Sequence, residues 1–405
     1  MRDIIKELQN RGYIEQLTHE KEMIELFKKE SVSFYIGIDP TANSMHIGHF
    51  VALMVASKLQ EAGHRPIILM GGGTASIGDP SGRTDMRQML TREQLDKNVD
   101  AIKRQAERFI SFKGENAAII VNNKDWLSDL KYIDFMKEIG SKFTISKMIA
   151  QECYKNRLET GLTFFEMGYL LLQSYDFLYL HDKYNCKVQI GGNDQWSNII
   201  GGVELIRKIG SEDSYGLTFK LLTNSEGKKM GKTASGALWL NSERTSPYEF
   251  YQYWRNIADS DLRKVLCLLT KFSMEEIDKL TSLRDEKINE AKKIAAFEIT
   301  KLIHGEEEAQ KAVQATEALF NGKGSTENMP TTQLENYNIS IVDALVLTKI
   351  APSKGQARTL IEQGGIAINN NKIDDIHFIL SKNDFKEGSA ILKKGKKTYH
   401  KLELK

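Results

Sequence analysis

The stretch Ser33–Gly72, SFYIGIDPTANSMHIGHFVALMVASKLQEAGHRPIILMGG, decides the fold. Phe34, Ile36 and Ile38 alternate with Tyr35, Gly37 and Asp39, which is strand spacing and turns Tyr35 toward the polar side. After the turn PTANS, residues 46 to about 61 read as a helix, Gly63 follows its end, and RPIILMGG is a second apolar run. Strand, helix and strand make a βαβ unit, whose parallel strands open a ligand crevice at their carboxyl ends. The segment SMHIGHF, 44–50, falls at that edge. It puts His46 and His49 on one face of the first helical turn, where unpaired N–H groups and the positive end of the helix dipole suit a phosphate chain. Gly48 leaves a flank bare enough for a flat ring to lie against the backbone. Two surface histidines, or two of three metal ligands, remain alternatives on this spacing alone.

Working outward, apolar runs ending in polar loops recur as AAIIVNNKDW and KVQIGGNDQWSNI, so residues 1–225 read as α/β with a parallel sheet. Residues 226–245 hold the lysine-rich loop GKKMGKT, 227–233. It differs from a phosphate-binding P-loop, because Glu226 stands where the first glycine is needed. Residues 246–321 are rich in helix formers and nearly free of glycine, an all-helical module, and 322–338 has the small, polar composition of a linker. Residues 339–405 carry 12 Lys/Arg against 7 Asp/Glu, a charge of +5 where the rest of the chain is −3. A small basic module with a polyanionic partner is expected there. In it Ser353-Lys354-Gly355-Gln356 is a capping box starting a helix, Gly364-Gly365 stops it before the strand-like IAINN, and Lys354 and Arg358 form a basic stripe.

The chain has 405 residues, 41% hydrophobic and 27% charged, with no apolar run of membrane-spanning length. Its first twenty residues alternate charged and apolar positions at helical spacing and lack a signal-peptide core, so a cytoplasmic location off the membrane is expected. Cys153, Cys186 and Cys267 are too irregularly spaced for a disulfide framework or a zinc site and read as buried thiols.

The order HIGH at 46–49 and KMGKT at 229–233 resembles the HIGH and KMSKS signatures of class I aminoacyl-tRNA synthetases. With YIGIDPTANSMHIGH, GDPSG (78–82), YLLLQSYDF (169–177), GGNDQWSNI (191–199), the helical module and the basic tail, the chain resembles bacterial tyrosyl-tRNA synthetases over its full length. That resemblance implies a Rossmann-like catalytic domain, a helical anticodon-side domain and a C-terminal α+β S4-like RNA-binding domain. It implies L-tyrosine, ATP with Mg²⁺, and tRNA(Tyr) as substrates, no protein-bound metal, and a homodimer.

Tyr169, Gln173 and Asp176 lie at i, i+4 and i+7, giving one oddly polar helix face. By resemblance, Tyr35 and Asp176 hold the tyrosine hydroxyl, Tyr169, Gln173 and Asp79 its ammonium group, and Gln195 its carboxylate. Thr41 and His46 serve the γ-phosphate. Gly37, Asp39, Gly48, His49, Gly192 and Asp194 serve the nucleoside. Lys229, Lys232 and Thr233 embrace pyrophosphate from one side, Arg83 and Arg87 from the other, while Lys354 and Arg358 grip tRNA. Ile36, Arg83 and KMGKT depart from the commoner pattern. Tryptophanyl-tRNA synthetase and a catalytically silent S4-type RNA-binding paralogue are the competing readings.

Overall fold

The computed structural model describes residues 3–79, 81, 91–151, 154–155, 158, 161–210, 213–233, 236–321, 331–386, 388–395 and 398–405. The chain folds as two compact units, residues 1–230 with Cys267–Leu269, and Gly231–Leu266 with Thr270–Lys405.

In the first unit the strands are β1 (Ile14–Leu17), β2 (Ser33–Ile38), β3 (Arg65–Met70), β4 (Ile119–Asn122), β5 (Cys186–Gly192) and β6 (Tyr215–Phe219), in the sheet order β1-β6-β5-β2-β3-β4. Strands β2 to β6 are mutually parallel, with β2 pairing β3 on one side and β5 on the other. The strand order reverses at β2, so the crevice opens at the carboxyl ends of β2 and β5. The edge strand β1 is antiparallel to β6 and corrects the helical reading of the amino-terminal segment: a helix covers only Ile4–Asn10. Four residues of β1 are too few for their alternation to stand out from helical spacing.

Helices cover both faces of the sheet, which is why Ile67 and Ile68 are equally buried on β3. For the same reason Tyr35 does not face a polar side. It is 1% exposed and packs against Phe177 of the helix Phe164–Tyr184, ring centroids 5.4 Å apart. That helix starts at a Thr163–Glu166 capping box and ends at Asn185 in the left-handed conformation. The helix Ile47–Glu61 is buried nearly all round, with Phe50, Leu53, Met54, Val55 and Leu59 in the core. Cys186 and Cys267 are buried and form no disulfide among the described residues, and Cys153 lies outside them.

The second unit begins with the short hairpin β7 (Lys232–Thr233) and β8 (Gly236–Ala237). Helices Pro247–Arg255, Leu262–Leu269, Met274–Thr281, Ile288–His304 and Glu306–Asn321 follow, with Cys267–Leu269 at the end of the second helix counted in the first unit. Ser246 and Ser273 open the first and third of these with capping boxes.

Toward the carboxyl end are β9 (Thr331–Leu334), β10 (Ile339–Ser340), β11 (Ile366–Ile368), β12 (Asn371–Ile373), β13 (Ile379–Leu380), β14 (Ser389–Lys394) and β15 (Thr398–Leu404). Five of them form the sheet β12-β11-β14-β15-β9 beside helices Ile341–Leu347 and Lys354–Glu362. The expected linker 322–338 is corrected here. Residues 322–330 lie outside the described residues, but Thr331–Leu334 is a strand parallel to β15, and Leu334 enters the core with Leu345, Ile361, Leu392 and Leu402. Polar composition hid it because an edge strand buries few of its side chains.

The expected strand IAINN also stops early, at Ile368. Asn369 and Asn370 have φ of 49° and 71°, and Ile368 pairs with Asn371, a two-residue turn matched to hairpin twist. Asn370→Val should therefore destabilise the chain by roughly 1–3 kcal/mol, read from urea unfolding, because a β-branched residue is strained at positive φ.

Candidate active site

The carboxyl end of β2 supplies Asp39, and the Gly71-Gly72-Gly73 turn after β3 passes directly against it. A Cβ added at Gly71 would collide with Asp39 Oδ1 and Thr74 Oγ1. Asp39 accepts from the Thr74 hydroxyl at 2.9 Å and from the Tyr169 hydroxyl at 3.1 Å. Thr74 in turn accepts from Asn123 Nδ2 at 3.0 Å, and the same amide donates to Asp176 Oδ2 at 2.8 Å. Asp176 Oδ1 accepts from Trp126 Nε1, also at 2.8 Å. A single hydrogen-bonded chain thus links Tyr169, Asp39, Thr74, Asn123, Asp176 and Trp126 across the ends of three strands.

Asp176 is 1% exposed, and burial pushes its carboxyl from 3.8 up to about 8, against the lowering pull of Asn123 and Trp126. The Tyr35 phenol is driven well above 10, first by burial and then by the charge of Asp176. Its hydroxyl has no hydrogen-bond partner among the described residues. A buried O–H donor without an acceptor is costly, and here it marks a place where a polar ligand atom is wanted.

At the other end Asp79 accepts from the Ser81 N–H and from Gln195 Nε2, while Gln195 Oε1 accepts from Gln173 Nε2 at 3.3 Å and Asn198 Nδ2 at 3.1 Å. Gln173 Oε1 is buried without a partner among the described residues. The polar helix face of Tyr169, Gln173 and Asp176 therefore points inward, with an acceptor-rich set at one end and an unpaired phenol at the other.

His46 is the N-cap of Ile47–Glu61, one position before the helix. Its Nδ1 accepts from Gly48 N–H at 3.1 Å, and His49 Nδ1 accepts from His46 N–H at 3.2 Å, a capping box built from two imidazoles. Accepting at Nδ1 leaves the proton of each neutral ring at Nε2 as a donor, a tautomer assigned from the network. The bare flank of Gly48 is taken by the chain itself: an added Cβ would sit 2.8 Å from His46 Cε1. The turn PTANS is fastened by the helix Arg92–Ala106, where Asn98 donates to Pro40 O and Gln105 accepts from Met45 N–H, each at 2.8 Å.

Thr41, in this turn, is exposed and donates its N–H to Asp39 O. Gly37 is not crowded by its own fold, a Cβ there meeting only Leu69 at 3.8 Å. Gly192 is crowded, its Cβ falling 2.8 Å from Asp194 Oδ1. Lys229 Nζ lies 3.7 Å from Asp194 Oδ2.

The structure thus brings together Tyr35, Asp39, Tyr169 and Asp176 as one group, Asp79, Gln173 and Gln195 as another, His46, Gly48 and His49 as a third, and Asp194 with Lys229. Lys232 and Thr233 form β7 of the second unit, and Arg83 and Arg87 lie outside the described residues. Lys354 and Arg358 lie on the helix Lys354–Glu362, capped by Ser353 as expected, and Lys354 is paired with Asp343 at 2.7 Å. Sequence reasoning missed Thr74, Asn123, Trp126 and Asn198. The first three sit just past the ends of β3 and β4, and the polar end of AAIIVNNKDW was the only local sign of Asn123 and Trp126.

A doubly wound parallel sheet with paired imidazoles at the first crossover helix defines a class I aminoacyl-tRNA synthetase core, and the family model for class I tRNA synthetases (W and Y) matches residues 28–321. Residues 322–402 match the tyrosine–tRNA ligase SYY-like C-terminal domain. The tyrosine–tRNA ligases of Acetivibrio thermocellus and Clostridium botulinum are 55% and 54% identical, each over 100% of both chains. The C-terminally truncated mitochondrial tyrosyl-tRNA synthetase of Aspergillus nidulans superposes with a TM-score of 0.71 at 27% identity, covering 79% of this chain and 95% of its own. The chain belongs to the tyrosine–tRNA ligase family.

The Asp176 carboxyl gives a signed pH prediction. Unfolded, it loses its proton near 3.8, whereas in the fold it keeps it to about 8. The unfolded chain therefore binds fewer protons in that window, and stability falls as pH rises from about 4 to about 8. Asp176→Asn should remove this component, so the difference in Tm between variant and parent should move in the variant's favour across the window and level off above it.

Proposed function

We propose that L-tyrosine binds between Tyr35 and the Asp79–Gln195 pair, phenol end toward Tyr35 and Asp176, and that the chain is a tyrosine–tRNA ligase working with ATP. The observation that carries the reading is the partnerless, fully buried Tyr35 hydroxyl beside a desolvated carboxyl. The substrate phenol accepts from Tyr35 and donates to Asp176. That added donor favours the ionised carboxylate, so binding below about pH 8 is accompanied by loss of its proton. Phenylalanine would leave both groups unpaired. Tyrosyl-tRNA synthetases are themselves the standard example of this discrimination, about 10⁵-fold without editing, and that figure belongs to the class rather than to this site.

The ammonium group is met by Asp79, by Gln173 Oε1, which has no other partner among the described residues, and by Tyr169, whose hydroxyl donates to Asp39. The tyrosine carboxylate, near Gln195, attacks the α-phosphorus of ATP, the α–β bridging oxygen leaves with pyrophosphate, and tyrosyl-adenylate forms. No side-chain nucleophile is needed. The protein positions reactants and supplies donors where negative charge grows. His46 and His49 offer Nε2–H groups, Thr41 a hydroxyl, and Lys229, Lys232, Thr233, Arg83 and Arg87 the donors for pyrophosphate. Gly37, Asp39, Gly48, Gly192 and Asp194 take the nucleoside, Asp194 exchanging Lys229 for a ribose hydroxyl. Mg²⁺ enters with ATP and is held on its phosphate oxygens. In the second step the terminal adenosine hydroxyl of tRNA(Tyr) attacks the tyrosyl carbonyl and AMP leaves.

Lys354 and Arg358 of the S4-like module meet tRNA phosphates. A homodimer is supported by the exposed apolar side chains Tyr132, Ile133, Ile145, Phe164 and Phe165, which fall in one stretch of the first unit. No helix among the described residues is long and apolar enough to cross a membrane, and a cytoplasmic site of action fits tRNA as substrate. A tryptophan-specific enzyme is not favoured, since an indole N–H only donates and would leave the Tyr35 O–H without an acceptor.

ATP–pyrophosphate exchange tests the assignment. Tyrosine should drive it, tryptophan and phenylalanine should not, and Lys232→Ala should slow it at least a hundredfold, as loss of a transition-state donor does, with tyrosine affinity nearly unchanged. Exchange driven by tryptophan instead would refute the reading. Arg358→Glu should leave exchange intact and weaken charging at limiting tRNA in a salt-dependent manner.

A further inference from the structure

We propose that Tyr253 is a positioning residue for the lysine-rich loop: its phenol oxygen accepts the Gly231 N–H at 2.7 Å and pins the backbone immediately before Lys232. This rests on the reading of Lys229 and Lys232 as pyrophosphate-binding groups. The passage from the first unit to the second falls at the Met230–Gly231 peptide. Within the first unit, Met230 N–H donates to Leu222 O at 2.8 Å, and Thr223 bridges Lys229, so Lys229 stands on a small hairpin turned at Asn224. Within the second, Gly231 O accepts from Leu238 N–H at 2.7 Å and its N–H goes to Tyr253. Both backbone polar groups of Gly231 are thus claimed, and β7 with Lys232 begins from a fixed point.

Tyr253 is well placed for this. It lies on the helix Pro247–Arg255, its ring edge-on to the fully buried Trp254 with centroids 4.9 Å apart. Gly231 is itself buried, with φ of +82°, a conformation disfavoured for any residue with a Cβ. The glycine that replaces serine of the KMSKS pattern is thereby accounted for: the loop enters β7 through a left-handed residue whose N–H is aimed at the phenol. Holding that point limits the arc Lys232 explores and lowers the entropy lost when it closes on the leaving group.

The test is tyrosine-dependent ATP–pyrophosphate exchange on the full chain, with tyrosine affinity and Tm measured alongside. Tyr253→Phe should slow exchange about fivefold to tenfold, the range one hydrogen bond supplies, without changing tyrosine affinity. Combined with Lys232→Ala it should add almost nothing, because the phenol acts through that lysine. Gly231→Ala, which keeps Tyr253 but strains the pinned residue, should show the same pattern and serves if Tyr253→Phe folds poorly. Unchanged or faster exchange in both variants overturns the proposal, and so does full additivity with Lys232→Ala, which would place Tyr253 elsewhere in the energetics. If Lys232→Ala alone has no effect, the loop's assigned role fails as well, an outcome distinct from failure of the latch.

Discussion

The site depends on one buried amide. Asn123 is wholly buried, and one nitrogen serves both Asp176 and Thr74 while its oxygen accepts from Gly73 N–H at 2.8 Å. With that amide in place, the carboxyl of Asp176, the turn after β3 and the carboxyl of Asp39 are fixed relative to one another. Buried polar groups in such a network are each satisfied only if all are, so the geometry is all-or-none. The exceptions, Tyr35 Oη and Gln173 Oε1, stand at the two ends where a ligand's own polar groups are wanted. Other buried atoms without a partner among the described residues, such as Gln189 Oε1 and Trp254 Nε1, lie outside this network.

Glycines make this arrangement possible by letting backbone approach side chain. Gly71 admits Asp39 and Thr74, and Gly192 admits Asp194. Gly48 works differently. It clears space for the imidazole of His46, so that the histidine pair caps its own helix. A residue pair that reads as ligand-binding is therefore also the helix N-terminus, and each neutral ring carries its proton on Nε2 because Nδ1 accepts.

Much of this was legible in sequence. The βαβ pattern, the N-cap at Ser353 and the polar stripe Tyr169–Gln173–Asp176 follow from spacing, since side-chain direction repeats with the backbone, while the reciprocal bond of a capping box at Ser353 is not formed among the described residues and the inward turn of the stripe is set by packing. The strands β1 and β9 were not legible, being short and at sheet edges where alternation carries little hydrophobic signal. Trp126 and Asn123 were hidden because their partner Asp176 is fifty or more residues away. Nothing local marks such a pair.

Sequence alone determined which residue types cluster at the ends of which elements: the histidines at the first crossover helix, the lysines between the two units, and the basic excess of the last sixty-seven residues. Tertiary structure decided which of these groups have partners. Burial on both faces of a parallel sheet turned Tyr35 from a strand residue expected on the polar side into an interior donor without a partner among the described residues, and burial of the packed helix raised the Asp176 carboxyl to about 8. Desolvation and hydrogen-bond satisfaction depend on what the rest of the chain packs around a group, and they have no counterpart in the linear order of residues.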